Sequence, residues 1–181
     1  ECPVKACGRY YPERVDDVAW ENDLTAFRAY GPALQETGER AFGYDIWTKY
    51  NTTEPVVEAR YEGELNPDMK AKIAELGKTD PKAAQELYRS VSYHVDHGNG
   101  LDCYKVGPTL GGGTTALMAG DTIVYPYCYA TQEILDNGPL RFTVKLVYNP
   151  LVVKGDSTII ETRIITLDAG SYCNKTVVSY T

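Results

Sequence analysis

The chain has 181 residues, with 18 lysines plus arginines against 25 aspartates plus glutamates and a formal charge of -7, and its pI is near 4.9. That length suits one domain able to bury a core without metal or disulfide support, and the acidic balance argues against nucleic acid or an anionic membrane as partner, because phosphate binding needs a basic face. No apolar run approaches the roughly twenty residues of a membrane span and no charged-then-apolar leader opens the chain, so it reads as soluble, with any export signal absent or removed.

Residues 1–14 hold Cys2, Cys7, two prolines and the pair Tyr10-Tyr11 with no clear period, and read as chain entering from a longer protein. Cys2, Cys7, Cys103, Cys128 and Cys173 are an odd number, so at least one is unpaired within the chain. Their spacing fits no zinc motif. Cys2 and Cys7 are close enough to be bridged in an oxidising compartment, whereas Cys103 and Cys128 sit in apolar strand patterns where a buried thiol is expected. Asn51-Thr52-Thr53 and Asn174-Lys175-Thr176 match the N-glycosylation pattern, which matters only in a eukaryotic secretory route.

An acidic run, Asp16-Asp17-Val18-Ala19-Trp20-Glu21-Asn22-Asp23, surrounds a tryptophan. A tryptophan flanked by acids suits stacking on a sugar ring, whose C–H face is apolar and whose hydroxyl rim is polar; a half-buried tryptophan in a solvated acidic loop fits the same residues. Residues 25–32 alternate in strand fashion, with Phe27 on one side and Arg28 on the other. Residues 41–50 alternate again, Phe42, Tyr44 and Thr48 against Asp45 and Trp47, and residues 56–61 read as a continuation of the sheet. A helical excursion over 66–90 follows. Asn66-Pro67 is its N-cap and first-turn proline, Met69, Ile73 and Leu76 its stripe, Gly77 its stop, and Thr79-Asp80-Pro81 opens a second piece.

The excursion delivers the chain to Tyr93-His94-Val95-Asp96-His97-Gly98-Asn99-Gly100-Leu101-Asp102-Cys103-Tyr104-Lys105, which contains the sequence's two histidines. Histidine is the side chain whose ordinary pKa lies near neutrality, so placing it among carboxylates and phenols offers a general base, a general acid or metal ligands. Gly98 and Gly100 lack the third glycine and following helix of a dinucleotide fingerprint, which excludes a nucleotide reading. Residues 107–115 are rich in glycine but lack a Gly-Lys-Ser/Thr ending, so they predict a flexible loop or a close ligand approach. Residues 121–129, 140–148, 158–167 and 175–180 read as strands, with Leu140, Phe142, Val144 and Leu146 facing inward. The sum is a mostly β, antiparallel sandwich with one helical excursion, and 15 tyrosines suit a concave sheet lining a ligand groove.

Four blocks carry a family resemblance: Arg14-Val15-Asp16-Asp17-Val18-Ala19-Trp20-Glu21-Asn22-Asp23; Phe27-Arg28-Ala29-Tyr30-Gly31-Pro32-Ala33-Leu34; Asp96-His97-Gly98-Asn99-Gly100-Leu101-Asp102-Cys103-Tyr104-Lys105-Val106-Gly107; and Ile165-Thr166-Leu167-Asp168-Ala169-Gly170-Ser171. They resemble the bacterial domain-of-unknown-function family numbered forty-eight sixty-one. The resemblance implies a galactose-mutarotase-like β super-sandwich found among proteins that degrade uronate-bearing polysaccharides, and hence a periplasmic or secreted setting. Members of that family are longer, so residues 1–181 are expected to be one sandwich domain of a longer chain, with flanking portions of the same protein as partners. Cys103 stands where the family often has tyrosine, and the start at Cys2 and Cys7 departs from its pattern.

These readings predict a carbohydrate-active protein working on acidic oligosaccharides or polysaccharides by lyase, isomerase or mutarotase-type proton transfer. His97 is the expected acid or base, with His94 beside it, Asp96 or Asp102 fixing its tautomer, and Tyr104 as a second proton-transfer group. Arg28 and Lys105 are expected to neutralise a substrate carboxylate, Trp20 to stack on the ring, and Glu21, Tyr44 and Asp45 to complete the substrate site. No organic cofactor is expected. A non-catalytic sugar-binding module would use the same aromatics without tuned proton transfer. A divalent metal on His94, Asp96 and His97 is the other alternative, and it requires a turn at Gly98 to bring the three together.

Overall fold

A computed structural model describes residues 2–50 and 53–181; the first glycosylation pattern, at Asn51, lies outside the described residues. In chain order, β1 (Ala6–Tyr11), β2 (Asp17–Asn22), β3 (Thr25–Ala29), the short helix α1 (Pro32–Glu36) and β4 (Tyr44–Lys49) precede three helices, α2 (Val56–Glu64), α3 (Pro67–Thr79) and α4 (Pro81–Val91). β5 (Gly100–Asp102), β6 (Leu117–Ala119), β7 (Thr122–Val124), β8 (Tyr129–Gly138), β9 (Arg141–Tyr148), β10 (Leu151–Val153), β11 (Asp156–Ile159), β12 (Glu161–Asp168) and β13 (Lys175–Tyr180) follow. The first five strands form one antiparallel sheet in sequence order; β13-β12-β9-β8 form the second, and β6-β7 and β10-β11 are separate hairpins. This is the mostly β, antiparallel sandwich that the alternating segments predict.

Val18, Trp20, Phe27, Ala29 and Tyr44 of the first sheet meet Phe142, Val144, Leu146, Ile165 and Leu167 of the second in the main core. Each strand contributes every second residue, as the pleat requires. Trp20 lies between Phe27, stacked at 5.8 Å, and Phe142, stacked at 6.2 Å. Its indole N–H donates to Asn174 at 2.9 Å, which engages the asparagine of the second glycosylation pattern. A tryptophan withdraws roughly 150–250 Å² from water, worth several kcal/mol at about 25 cal/mol per Å². Leu140, expected inward, precedes β9 and is 50% exposed.

The opposite face of the first sheet is also covered. Tyr11, Ala19, Ala26 and Trp47 pack there against Val57 and Tyr61 of α2 and against Tyr93. Burial on both faces explains why β2 and β3 are buried along their whole length. The acidic run around Trp20 is therefore sheet interior rather than a solvated loop, and the opening segment, which lacks a readable period, supplies β1.

Residues 56–61, expected as strand, begin α2. The Glu21 carboxylate accepts the Val56 and Val57 amide N–H groups at 2.8 and 3.1 Å, satisfying orphan donors of the first turn. The excursion expected over 66–90 is helical as read, with Asn66 and Asp80 as N-caps accepting from Met69 and Ala83 at 3.0 Å each. Gly77 lies inside α3 and does not end it. In the glycine-rich stretch the close neighbour is the protein's own backbone: a Cβ at Gly43 would stand 1.6 Å from the Leu110 carbonyl oxygen, and Gly112 donates to the Tyr44 carbonyl at 2.8 Å. All five cysteines are free thiols; Cys128 is buried as expected, whereas Cys103 is exposed.

Candidate functional site

Strand register brings the charged residues together. Arg28 pairs with Asp45 across β3 and β4 and with Ala19 across β2, while Asp102 pairs with Trp47 across β4 and β5. Two-residue periodicity then sets Asp17, Arg28, Asp45 and Asp102 on one face, the one under α2. Gly100 makes the last pairing possible: its φ is +116°, and a Cβ there would lie 1.9 Å from the Thr48 carbonyl oxygen.

The Arg28 guanidinium is the centre of this cluster. Nη2 donates to Asp45 and, at 3.1 Å, to Asp102, Nε lies 4.0 Å from Asp17, and Nη1 donates to the Tyr61 hydroxyl at 3.4 Å. Trp47, Tyr30 and Tyr93 surround it with rings. Three buried carboxylates thus share one fully buried cation, with Arg14 adding a second contact to Asp17 at 3.9 Å. Oxygens of Asp17, Asp45 and Asp102 remain without hydrogen-bond partners. Burial pushes Asp17 up to about 6 despite Arg28 and Arg14. Burial, then the Asp45 charge, pushes Asp102 to about 6, opposed by Arg28 and His94.

Asp102 connects this interior to the surface. It borders a cleft of about 430 Å³ whose walls include Tyr30, Glu39, Tyr93, His94, Tyr104 and Lys105, a volume in the range of small-ligand sites. His94 Nδ1 lies 3.2 Å from the Asp102 carbonyl oxygen and 3.6 Å from its carboxylate. With a proton on Nδ1 directed at those acceptors, Nε2 is left as the basic nitrogen. Tyr93 backs the imidazole at 4.5 Å between ring centroids. Burial, and next the Asp45 charge, raise the Tyr104 phenol above its ordinary value. The arrangement can exchange protons with a ligand beside an ammonium group. A smaller cavity of about 200 Å³ lies between β1 and α2, but its charged residues are already engaged, Arg9 with Glu58 at 2.8 Å and Glu21 with Lys49 at 2.8 Å.

The remaining residues expected at a site go elsewhere. His97 lies outside the cleft, with Nε2 3.0 Å from the Ser92 carbonyl oxygen. Asp96 shapes the turn: it accepts from the Gly98 and Gly100 amides at 2.8 and 3.3 Å and from the Tyr50 hydroxyl at 2.6 Å. These bonds, the Tyr50 one foremost, hold its carboxyl below the ordinary range. His94, Asp96 and His97 therefore do not converge, and among the described residues no group of three or more His, Cys, Asp or Glu could hold a metal ion. Trp20, expected to stack on a sugar, has both faces covered by phenylalanines. Glu21 is taken by α2 and by Lys49 at 2.8 Å. Tyr44 is buried beneath the Arg163 guanidinium; Arg28 borders the cleft but is 2% exposed and bound to the buried Asp45. Of the expected substrate-binding set, Lys105 faces the cleft openly. Tyr30, Glu39 and Tyr93 are cleft residues not expected at the site; Tyr30 and Tyr93 lie inside the same sequence stretches as Arg28 and His94, and Glu39 carries no local signal.

Fold and site define an antiparallel β-sandwich domain with a buried arginine–carboxylate cluster that opens on a polar cleft. The family model described as Domain of unknown function (DUF4861) matches residues 3–181, and the chain belongs to that family. It is similar to the Uncharacterized protein P7 of Formosa agariphila, 30% identical over 175 residues, which are 93% of this chain and 38% of that protein. The chain thus spans well under half the length of that relative. No solved structure matches it.

Proposed function

We propose that this domain is the proton-transfer part of a carbohydrate-active protein that works on uronate-containing oligosaccharides. The observation that carries the reading is the pairing of His94 with Asp102 in a cleft that also holds Tyr104 and Lys105. His94 Nε2 takes the proton α to the substrate carboxylate, and Lys105 neutralises the charge that develops there. Tyr104 returns a proton to the departing or ring oxygen, while Asp102 holds the imidazole tautomer. Glu39, at the cleft wall, accepts from the sugar's hydroxyls. Removal of the α-proton with loss of the neighbouring C–O bond gives lyase chemistry and its return to the carbon gives isomerisation, whereas in mutarotation the same acid–base pair takes the anomeric hydroxyl proton and protonates the ring oxygen.

The test is a screen of the full-length natural protein against saturated and unsaturated uronate oligosaccharides, read by ultraviolet absorbance and product mass. Turnover that disappears in His94→Gln supports the proposal. Binding without turnover of any uronate makes the domain a sugar-binding module instead.

A further inference from the structure

The cleft wall at Gly38 and Glu39 continues directly into Arg40, and beside Arg40 the surface is unusually aromatic. The Arg40 guanidinium lies over the Tyr127 ring at 5.5 Å. Two residues along, Phe42 packs against Tyr125 at 4.8 Å between centroids. Tyr125 and Tyr127 are 40% and 38% exposed, and the residues that alternate with them, Pro126 and Cys128, are buried. That alternation presents the phenol rings outward in a row. Ile123, 37% exposed, extends the row by one more position. Arg40 is exposed and pairs with no carboxylate among the described residues.

A contiguous row of exposed rings leaves apolar surface in water without return, and such patches mark binding sites. Here the patch carries a guanidinium without a carboxylate partner among the described residues, one residue along the chain from the cleft-lining Glu39. Ring faces accept the C–H face of a pyranose, and a guanidinium accepts a carboxylate in bidentate fashion. The patch has no imidazole or carboxylate to match His94 and Asp102, so its role is holding and not chemistry.

We infer that Arg40, Phe42, Tyr125 and Tyr127 form an outer subsite that binds the next sugars of an acidic oligosaccharide whose reacting residue sits in the cleft. This rests on the cleft reading proposed above and adds to it the place where the further, negatively charged sugars of the same chain are held. Arg40 takes a carboxylate, and Tyr127 and Tyr125 take successive ring faces.

The test measures calorimetric affinity of the full-length protein for di- and tetragalacturonate, for wild type, Arg40→Gln and Tyr127→Ala, with melting curves to confirm folding. Wild type is expected to bind the tetrasaccharide about tenfold or more tighter than the disaccharide, one stacked or ion-paired contact being worth about that factor. Each variant should lose most of this gain while holding disaccharide affinity within about twofold. Disaccharide binding with no gain on lengthening, or a gain that both variants retain, overturns the outer subsite and leaves the cleft reading intact. Binding of neither length overturns both. Should Tyr127→Ala misfold, Arg40→Gln alone decides.

Discussion

His94 Nδ1 is within hydrogen-bond reach of the Asp102 carbonyl oxygen at 3.2 Å and lies 3.6 Å from the Asp102 carboxylate. The second histidine of the same segment, His97, is bound to the Ser92 carbonyl outside the cleft. The two imidazoles should therefore separate cleanly under mutation. His94→Gln is expected to lower kcat by about 100-fold or more, the range of a general acid–base residue, while His97→Gln changes it only a few-fold. Steady-state kinetics on a uronate oligosaccharide checks this, and equal losses in the two variants would remove His94 from its role.

Asp17 and Asp102, both pushed up to about 6, set an unusual pH dependence of stability. Between the ordinary carboxylate range near 4 and about 6, the folded chain binds more protons at these two sites than the unfolded chain does. Stability from them is thus fullest below about 4 and declines as pH rises through 6, the reverse of a salt-bridged carboxylate. Tm should be higher at pH 5 than at pH 7.5 by a few degrees, about 2–4 °C per kcal/mol for a chain of this size. Asp102→Asn should shrink the difference. A melting point that rises steadily from pH 5 to pH 7.5 would contradict the raised values.

Phe27 and Arg28 mark how far period-two reading reaches. Alternation assigns them to opposite faces of β3, and they lie there, but it cannot say that the second face is covered too. That depends on α2, whose start is capped by Glu21 from 35 residues earlier in the chain, so no local pattern around Val56 announces a helix. Arg28 and Asp45 looked available to substrate for the same reason. The choice between His94 and His97 was equally hidden, because it rests on which backbone carbonyl each ring meets after Gly98 and Gly100 turn the chain. The caps at Asn66 and Asp80, by contrast, are local, and both were legible.

Arg28→Met removes the one guanidinium that Asp17, Asp45 and Asp102 share. Uncompensated buried charge should cost about 3–5 kcal/mol at pH 7.5. The loss should be smaller at pH 5, since carboxylates deprived of their cation keep their protons more readily. Urea unfolding at the two pH values measures both parts. Equal losses at pH 5 and pH 7.5 would mean that packing against Trp47 and Tyr93, and not charge, is what Arg28 provides.

Glu21 lies at the joint between the sheet and the helix that covers it. Its carboxylate accepts from Lys49 at 2.8 Å and from the first amides of α2 at 2.8 and 3.1 Å, so one side chain fixes both the strand cation and the helix start. Glu21→Gln keeps the shape but strips the charge that favours the helix N-terminus and leaves Lys49 buried with only carbonyl oxygens at Asn22 and Glu54. Amide exchange should quicken in α2 ahead of β9 and β12, because these strands pack on the other side of the first sheet. α2 also carries the Tyr61 hydroxyl that contacts Arg28, so loosening it admits water to the cluster and moves Asp17 down toward its ordinary value. Exchange that quickens uniformly across the sandwich would show instead that α2 and the sheet unfold as one unit, with Glu21 contributing to overall stability alone.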